Sequence, residues 1–311
     1  MIDGSSFFCC HFFRMKSMKK VLLTGVDGFT GKYVEQELNS RGYSVVGLVH
    51  RNANQGQVAC DLTDREAVMA CLEQVQPNYI IHLAALSFVG HTEPKAFYDV
   101  NVFGALNLLE AAKELGLQLD KVVFASSANI YGNPKDVDCI SETASPSPIN
   151  HYAMSKLAME HMAKLWFSEY PMIITRPFNY TGPGQAKHFL IPKIVSHFKR
   201  NAPEIELGNT DVSRDFSDVR DIALAYANLL EADAQSEIVN LCSGQVTSLR
   251  AIISMMEEIA GYKIKVRVNP DFVRANEIKV LGGNNTKLMS LTGKAPSIKI
   301  EKTLADMYHA D

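Results

Sequence analysis

Tyr152 and Lys156 stand four residues apart in a run, Asn150 to Tyr170, that reads as a helix. That spacing places the phenol and the ammonium on one helix face. An ammonium beside a phenol favours the phenolate, so the pattern predicts a lowered phenol pKa. Such a phenol can exchange a proton with an alcohol or ketone oxygen. A hydroxyl that holds the same oxygen is offered by Ser127, in the run Ser126-Ser127-Ala128-Asn129-Ile130-Tyr131-Gly132. Taken alone, Tyr-x-x-x-Lys is a common chance spacing. Its weight comes from its position behind a second motif near the start of the chain.

That motif is Gly25-Val26-Asp27-Gly28-Phe29-Thr30-Gly31, spaced G-x-x-G-x-x-G between an apolar run and a helical one. Glycines let the backbone turn tightly and approach a pyrophosphate, which then faces the free N–H groups of a helix N-terminus. Gly25, Gly28, Phe29, Thr30 and Gly31 are therefore candidate cofactor-binding residues. With a nicotinamide dinucleotide in place, the tyrosine would move the proton while the cofactor moves the hydride. The second apolar run ends Leu48-Val49-His50-Arg51, with no acid at Val49 to bind ribose hydroxyls. Arg51 suits a 2′-phosphate instead, so NADPH is the expected cofactor and NADH the alternative.

The elements that must position these groups alternate along the chain. Apolar runs at Lys20 to Thr24, Ser44 to Val49, Tyr79 to Leu83, Lys121 to Ala125 and Met172 to Thr175 read as strands. Between them, Gly31 to Arg41, Asp64 to Val75, Phe97 to Leu115 and Asn150 to Tyr170 read as helices. Continuous apolar strands joined by helices predict an α/β fold with a doubly wound, Rossmann-type parallel sheet. Residues 19–180 are expected to form the dinucleotide-binding domain, with 237–243 returning to its sheet. Residues 181–311 are expected to form a smaller C-terminal α/β substrate lobe, including a helix near Leu249 to Ala260. Residues 1–18 lack the order of features of a signal peptide and read as a disordered extension.

The chain has 311 residues, 47% of them hydrophobic, enough for a sizeable core. Its net charge of −3 offers no footprint for nucleic acid or an anionic membrane. No apolar run is long enough to span a bilayer. Six cysteines, without any C-x-x-C, point to reduced thiols and a cytoplasmic protein rather than to zinc or a disulfide framework. No histidine has metal-ligand spacing.

Together these motifs resemble the extended short-chain dehydrogenases/reductases of the nucleotide-sugar branch. The resemblance also rests on Asp61-Leu62, His82-Leu83-Ala84-Ala85, Asn101 with Gly104, and Arg176-Pro177-Phe178-Asn179, in family order over nearly the whole chain. It implies that Asp61 and Leu62 lie by the adenine, and Ala84 by the cofactor phosphates or ribose. Leu83, Ala85 and Asn101 join the cofactor-binding set. Pro177 and Phe178 flank the nicotinamide, Asn179 contacts substrate, and Lys156 also holds the nicotinamide ribose. A homodimer joined through the helices at 97–115 and 150–170 is a further implication.

Related dehydratases need an acid–base carboxylate pair next to the catalytic serine or threonine. Here those places carry Ala128 and Asn129, so elimination is disfavoured. The second half is similar to the GDP-4-keto-6-deoxy-D-mannose reductases, through residues 178–185, 211–221, 239–245, Arg274-Ala275-Asn276-Glu277 and Leu291-Thr292-Gly293. Tyr180-Thr181 departs from the His-Ile expected there, and Ala275 from a common Pro. The implied reaction is reduction of the C4 ketone of a GDP-linked 4-keto-6-deoxyhexose, with GDP-D-rhamnose as the expected product and its C4 epimer as the alternative. Arg214, Arg274 and Lys193 are candidate clamps for the diphosphate. Glu277 and Asn179 are candidates for the guanine, ribose or sugar hydroxyls. Asp218 and Asp221 read as structural. The alternatives are an NAD-dependent 4-epimerase and a non-catalytic NADP-binding sensor.

Overall fold

The computed structural model describes residues 18–87, 93–134, 139–273 and 278–310. Its strands are β1 (Lys20–Thr24), β2 (Ser44–Val49), β3 (Gln57–Ala59), β4 (Tyr79–His82), β5 (Lys121–Ala125), β6 (Met172–Pro177), β7 (Asn179–Thr181), β8 (Glu204–Leu207), β9 (Ser213–Asp218), β10 (Glu237–Leu241), β11 (Val246–Ser248), β12 (Lys265–Val268) and β13 (Val280–Leu281). Its α-helices are α1 (Phe29–Ser40), α2 (Arg65–Val75), α3 (Pro94–Tyr98), α4 (Gly104–Glu114), α5 (His151–Lys164), α6 (Leu190–Lys199), α7 (Val219–Glu231), α8 (Leu249–Ala260), α9 (Thr286–Thr292) and α10 (Ile300–His309).

Seven parallel strands make the main sheet, in the order β10-β6-β5-β4-β1-β2-β3. Strand side chains alternate between its two faces. On one face Leu22, Ile80, Val122 and Phe124 meet Val68 and Leu72 of α2, Leu108 of α4 and Met159 of α5. On the other, Val21, Leu23, Ile81 and Val123 meet Val34 and Leu38 of α1 and Ile222, Tyr226 and Leu229 of α7. Both faces are buried, which is why these strands read as unbroken apolar runs. The fold is a doubly wound Rossmann-type sheet with a smaller α/β lobe. In that lobe, Ile194 and Phe198 of α6, Ile252 and Met256 of α8 and Leu304 of α10 surround Ile205 and Phe216.

Several elements depart from the periodicity reading. The run at 97–115 is three pieces: α3, a π-helical turn at Asp99–Phe103, and α4. The widened turn carries fully buried Asn101. Its carboxamide accepts from Leu86 N at 2.8 Å and donates to Leu86 O and to Ser155 Oγ at 3.1 and 3.0 Å. The helix beginning at Asn150 closes in turns after Lys164, with Asn150 as its cap through Ala153 N at 2.8 Å. β3 has three residues, too few to show a period. α7 has a clear apolar stripe, and it lies with α1 on the main sheet although it comes after residue 180.

Candidate active site

A cavity of about 1010 Å³ opens at the C-terminal ends of β1, β4, β5 and β6. This is the position where doubly wound sheets bind ligands. One wall is the glycine loop. Gly25 has φ of +70°, and a Cβ there would meet Ala84 N at 2.9 Å. At Gly31 a Cβ would strike Gly25 O at 2.2 Å. The loop therefore lies directly against its own helix and against the Leu83-Ala84-Ala85 segment, as only glycine permits. No side chain caps the first turn of α1, since Gly28 is its N-cap. Its N–H groups are left for a ligand.

The Leu83-Ala84-Ala85 segment is held from behind. Thr24 Oγ1 accepts from Ala84 N at 3.1 Å and lies 2.8 Å from His82 Nδ1. Complete burial pushes His82 down to about 3, so the ring is neutral and its Nδ1 shares one proton with Thr24 Oγ1. Beyond the loop, Asp61 takes Thr63 N and Oγ1 at 2.9 and 2.7 Å, which lowers its pKa. Asp61, Leu62 and His50 line that end of the cavity.

The reacting groups meet at the other end. Ser127 sits at the exit of β5, where its Oγ accepts from Asn129 N at 3.2 Å and starts a short 3-10 turn. The Tyr152 phenol, in the first turn of α5, lies near enough to the Ser127 hydroxyl for that group to act on its pKa. Lys156 lies one turn on, 2% exposed, with Nζ donating to Ala125 O at 2.7 Å. Tyr152, Lys156 and Ser127 all line the cavity, together with Pro177, Phe178 and Asn179.

The electrostatics reverse the lowered phenol pKa that the spacing predicts. Burial pushes Tyr152 up to about 12 and outweighs the nearby Ser127 hydroxyl, which acts the other way. Burial also brings Lys156 down to about 8, opposed by the Glu160 carboxylate. The phenol thus keeps its proton at neutral pH, as a general acid must. The lysine charge, in contrast, is lost as pH rises through about 8. The rate of any turnover that relies on this charge is accordingly expected to fall above about pH 8. Lys156→Arg, which cannot deprotonate, should abolish that fall. Initial rates between pH 6 and pH 10 test this, and a wild-type profile flat across pH 8 would refute it.

Sixteen predicted residues line this cavity: Gly25, Gly28, Phe29, Thr30, Gly31, Asp61, Leu62, Leu83, Ala84, Ala85, Ser127, Tyr152, Lys156, Pro177, Phe178 and Asn179. Four others do not. Arg51 is exposed and follows His50, which lines the cavity. Asn101 spends its carboxamide on Leu86 and Ser155, and so shapes the segment after β4 from behind. Lys193 donates to Glu206 O at 2.7 Å and lies 4.4 Å over the Phe272 ring. Arg214 donates to Ser213 O and Lys279 O at 2.8 and 3.1 Å. Arg274 and Glu277 lie outside the described residues. Asp218 and Asp221 are structural, as read. Asp218 caps α7 and takes Arg220 and Thr303, while Asp221 takes Ser297 N and Ile298 N. The sequence reading missed Tyr226 and the contact of Tyr180 with the cofactor side. Recognising α7 by its period would have suggested the first.

Comparison with known proteins agrees with this geometry. A family model described as GDP-mannose 4,6 dehydratase matches residues 22–307. The GDP-6-deoxy-D-talose 4-dehydrogenase of Aggregatibacter actinomycetemcomitans is 36% identical over 291 residues, 93% of this chain and 97% of that one. The GDP-6-deoxy-D-mannose reductase of Pseudomonas aeruginosa is 31% identical over 302 residues, 92% of this chain and 95% of that one. A solved structure of RMD from Pseudomonas aeruginosa complexed with NADPH superposes with a TM-score of 0.83 at 29% identity, covering 94% of this chain and 98% of that chain.

Proposed function

Because the chain belongs to the GDP-mannose 4,6-dehydratase family, in the nucleotide-sugar branch of the short-chain dehydrogenases/reductases, we propose that it reduces the C4 ketone of a GDP-4-keto-6-deoxyhexose with NADPH. The carrying observation is which groups reach the cavity. Tyr152, Lys156 and Ser127 converge there. Among the described residues that line it, the only carboxylates are Asp27 and Asp61, on the glycine-loop and Asp61-Leu62 side. Beside Ser127 stand Ala128 and Asn129, neither of which can take a proton from carbon. Reduction needs no such base, whereas elimination does.

Bound NADPH supplies the hydride. The Ser127 hydroxyl holds the ketone oxygen, and the Tyr152 phenol gives it the proton. The Lys156 ammonium stabilises the phenolate that results. The glycine loop and the first turn of α1 take the pyrophosphate. Asn179 contacts the sugar. Neither Arg214 nor Lys193 lines the cavity. The greater identity to the talose-named relative, 36% against 31%, favours the C4 epimer, GDP-6-deoxy-D-talose, over GDP-D-rhamnose.

This reading includes a cytoplasmic homodimer. Exposed Phe103 before α4, and Met154 and Leu165 on and after α5, support a seam on those helices. No helix among the described residues is long and apolar enough to cross a membrane.

The test is an assay of the purified protein with GDP-4-keto-6-deoxy-D-mannose and each reduced cofactor, followed by NMR of the product. One NADPH consumed per sugar, with a new C4 carbinol, is expected. Reversible epimerisation of a plain nucleotide sugar without cofactor loss would instead establish the epimerase.

A further inference from the structure

Tyr180 lies on the short strand β7, between Asn179 and the Gly182-Pro183-Gly184 turn. Its ring is stacked on Phe29 of the glycine loop, with centroids 6.2 Å apart and planes 9° from parallel. Its hydroxyl is 2.7 Å from Thr30 Oγ1. A second bond joins the same two segments: Tyr33 Oη donates to Pro183 O at 2.9 Å. Phe29 and Tyr33 are themselves in edge contact, at 5.7 Å. The turn that follows Asn179 is thereby tied to the first turn of α1, across 150 residues of sequence.

The two hydroxyls have one proton each to share. If Thr30 donates to Tyr180, no proton on Thr30 is left for a ligand. If Tyr180 donates, the Thr30 proton is free to point at an anion on the uncapped N-terminus of α1. An anion there selects the second arrangement, because Thr30 Oγ1 then donates to the anion and accepts from the phenol.

We propose that Tyr180 is a positioning residue that fixes the Thr30 hydroxyl toward the cofactor pyrophosphate and so couples NADPH binding to the placement of the sugar-binding segment that begins at Asn179. This rests on the proposed use of NADPH at the glycine loop. The coupling is reciprocal, since linkage works in both directions. Bound cofactor fastens the sugar-binding segment, and a fastened segment improves the cofactor site. Tyr180 does not touch the reacting atoms in this scheme.

Titration of the purified protein with NADPH, followed by the cofactor's fluorescence, reads the effect directly. Tyr180→Phe keeps the ring on Phe29 and removes only the hydroxyl. It should weaken NADPH binding about two- to ten-fold, the range of one lost hydrogen bond. It should also raise KM for the sugar nucleotide more than it lowers kcat, and leave the pH profile in place. Thr30→Val should weaken binding by a similar factor or more, Thr30→Ser should restore it, and Tyr180→Phe added to Thr30→Val should cost nothing further. Multiplying effects in the double variant would overturn the coupling, as would unchanged NADPH affinity in Tyr180→Phe. A wild-type protein that does not bind NADPH would overturn both this inference and the proposed function. Wild-type binding with an indifferent Tyr180→Phe overturns this inference alone. A melting curve for each variant separates a lost hydroxyl from a lost fold, and Thr30→Val carries the test if Tyr180→Phe does not fold.

Discussion

Tyr152→Phe is expected to lower kcat by about 10²- to 10⁴-fold, the range for removing a positioned general acid, while NADPH still binds. The phenol is pushed up to about 12 by burial, so it is fully protonated at neutral pH. Its ordinary weakness as an acid is offset only as negative charge develops on the ketone oxygen. At that moment the phenolate forms beside the Ser127 hydroxyl and on the same helix face as the Lys156 ammonium. Phenylalanine keeps the ring and its edge contact with Phe97, whose centroid lies 6.4 Å away. The substitution therefore tests the hydroxyl and little else. Stopped-flow or steady-state rates, read alongside an NADPH titration, separate chemistry from binding. Turnover within threefold of wild type would remove Tyr152 from the mechanism.

Glu160→Gln is expected to destabilise the folded protein by about 3–5 kcal/mol, the usual cost of breaking a buried ion pair from one side. Glu160 is on α5, one turn beyond Lys156, and is 0% exposed. It receives Arg176 Nε and Nη2 at 3.0 and 2.7 Å in a bidentate pair. Arg176 Nη1 also donates to Tyr131 Oη and Glu142 O at 2.9 and 3.1 Å, and the guanidinium lies 5.0 Å from the Tyr131 ring centroid. Tyr131 Oη in turn donates to Asn240 Oδ1 at 2.7 Å. One network thus joins the helix of the catalytic pair to β6, to β10 and to the turn that carries Ser127. With Gln at 160 the guanidinium charge is left in the interior without its counter-ion. Denaturant unfolding measures the loss. Glu160→Met combined with Arg176→Met should recover most of it, because removing both charges removes the desolvation cost as well. A single-variant loss below about 1 kcal/mol would show that the pair is not what holds these elements together.

How much of this could be read beforehand depended on the distance over which each fact is decided. The glycine loop, the strand runs β1, β2, β4, β5 and β6, and the shared face of Tyr152 and Lys156 follow from neighbours within one or two turns. Local backbone geometry alone sets them. α7 is equally legible in its period. The π-helical turn around Asn101 is not, because it answers to Leu86 and Ser155 from other segments.

Charge and protonation were the least legible. Arg51, Lys193 and Arg214 have the residue types a phosphate clamp needs. Residue type does not say whether a cation reaches a cavity, and for Lys193 and Arg214 the described partners are backbone carbonyls. The phenol pKa moved opposite to the helical-spacing argument, since spacing counts the nearby ammonium and cannot count the water removed by folding.

The amino-acid order by itself determined a dinucleotide-type loop, a parallel sheet and a tyrosine–lysine pair, since each is built from residues that are near one another along the chain. Only the tertiary structure decided that Ser127 shares a cavity with that tyrosine, that Tyr180 closes on Thr30, and that Arg176 is neutralised by Glu160. Each of these joins segments whose separation is set by how the sheet stacks, and the strength of each depends on the water that stacking excludes.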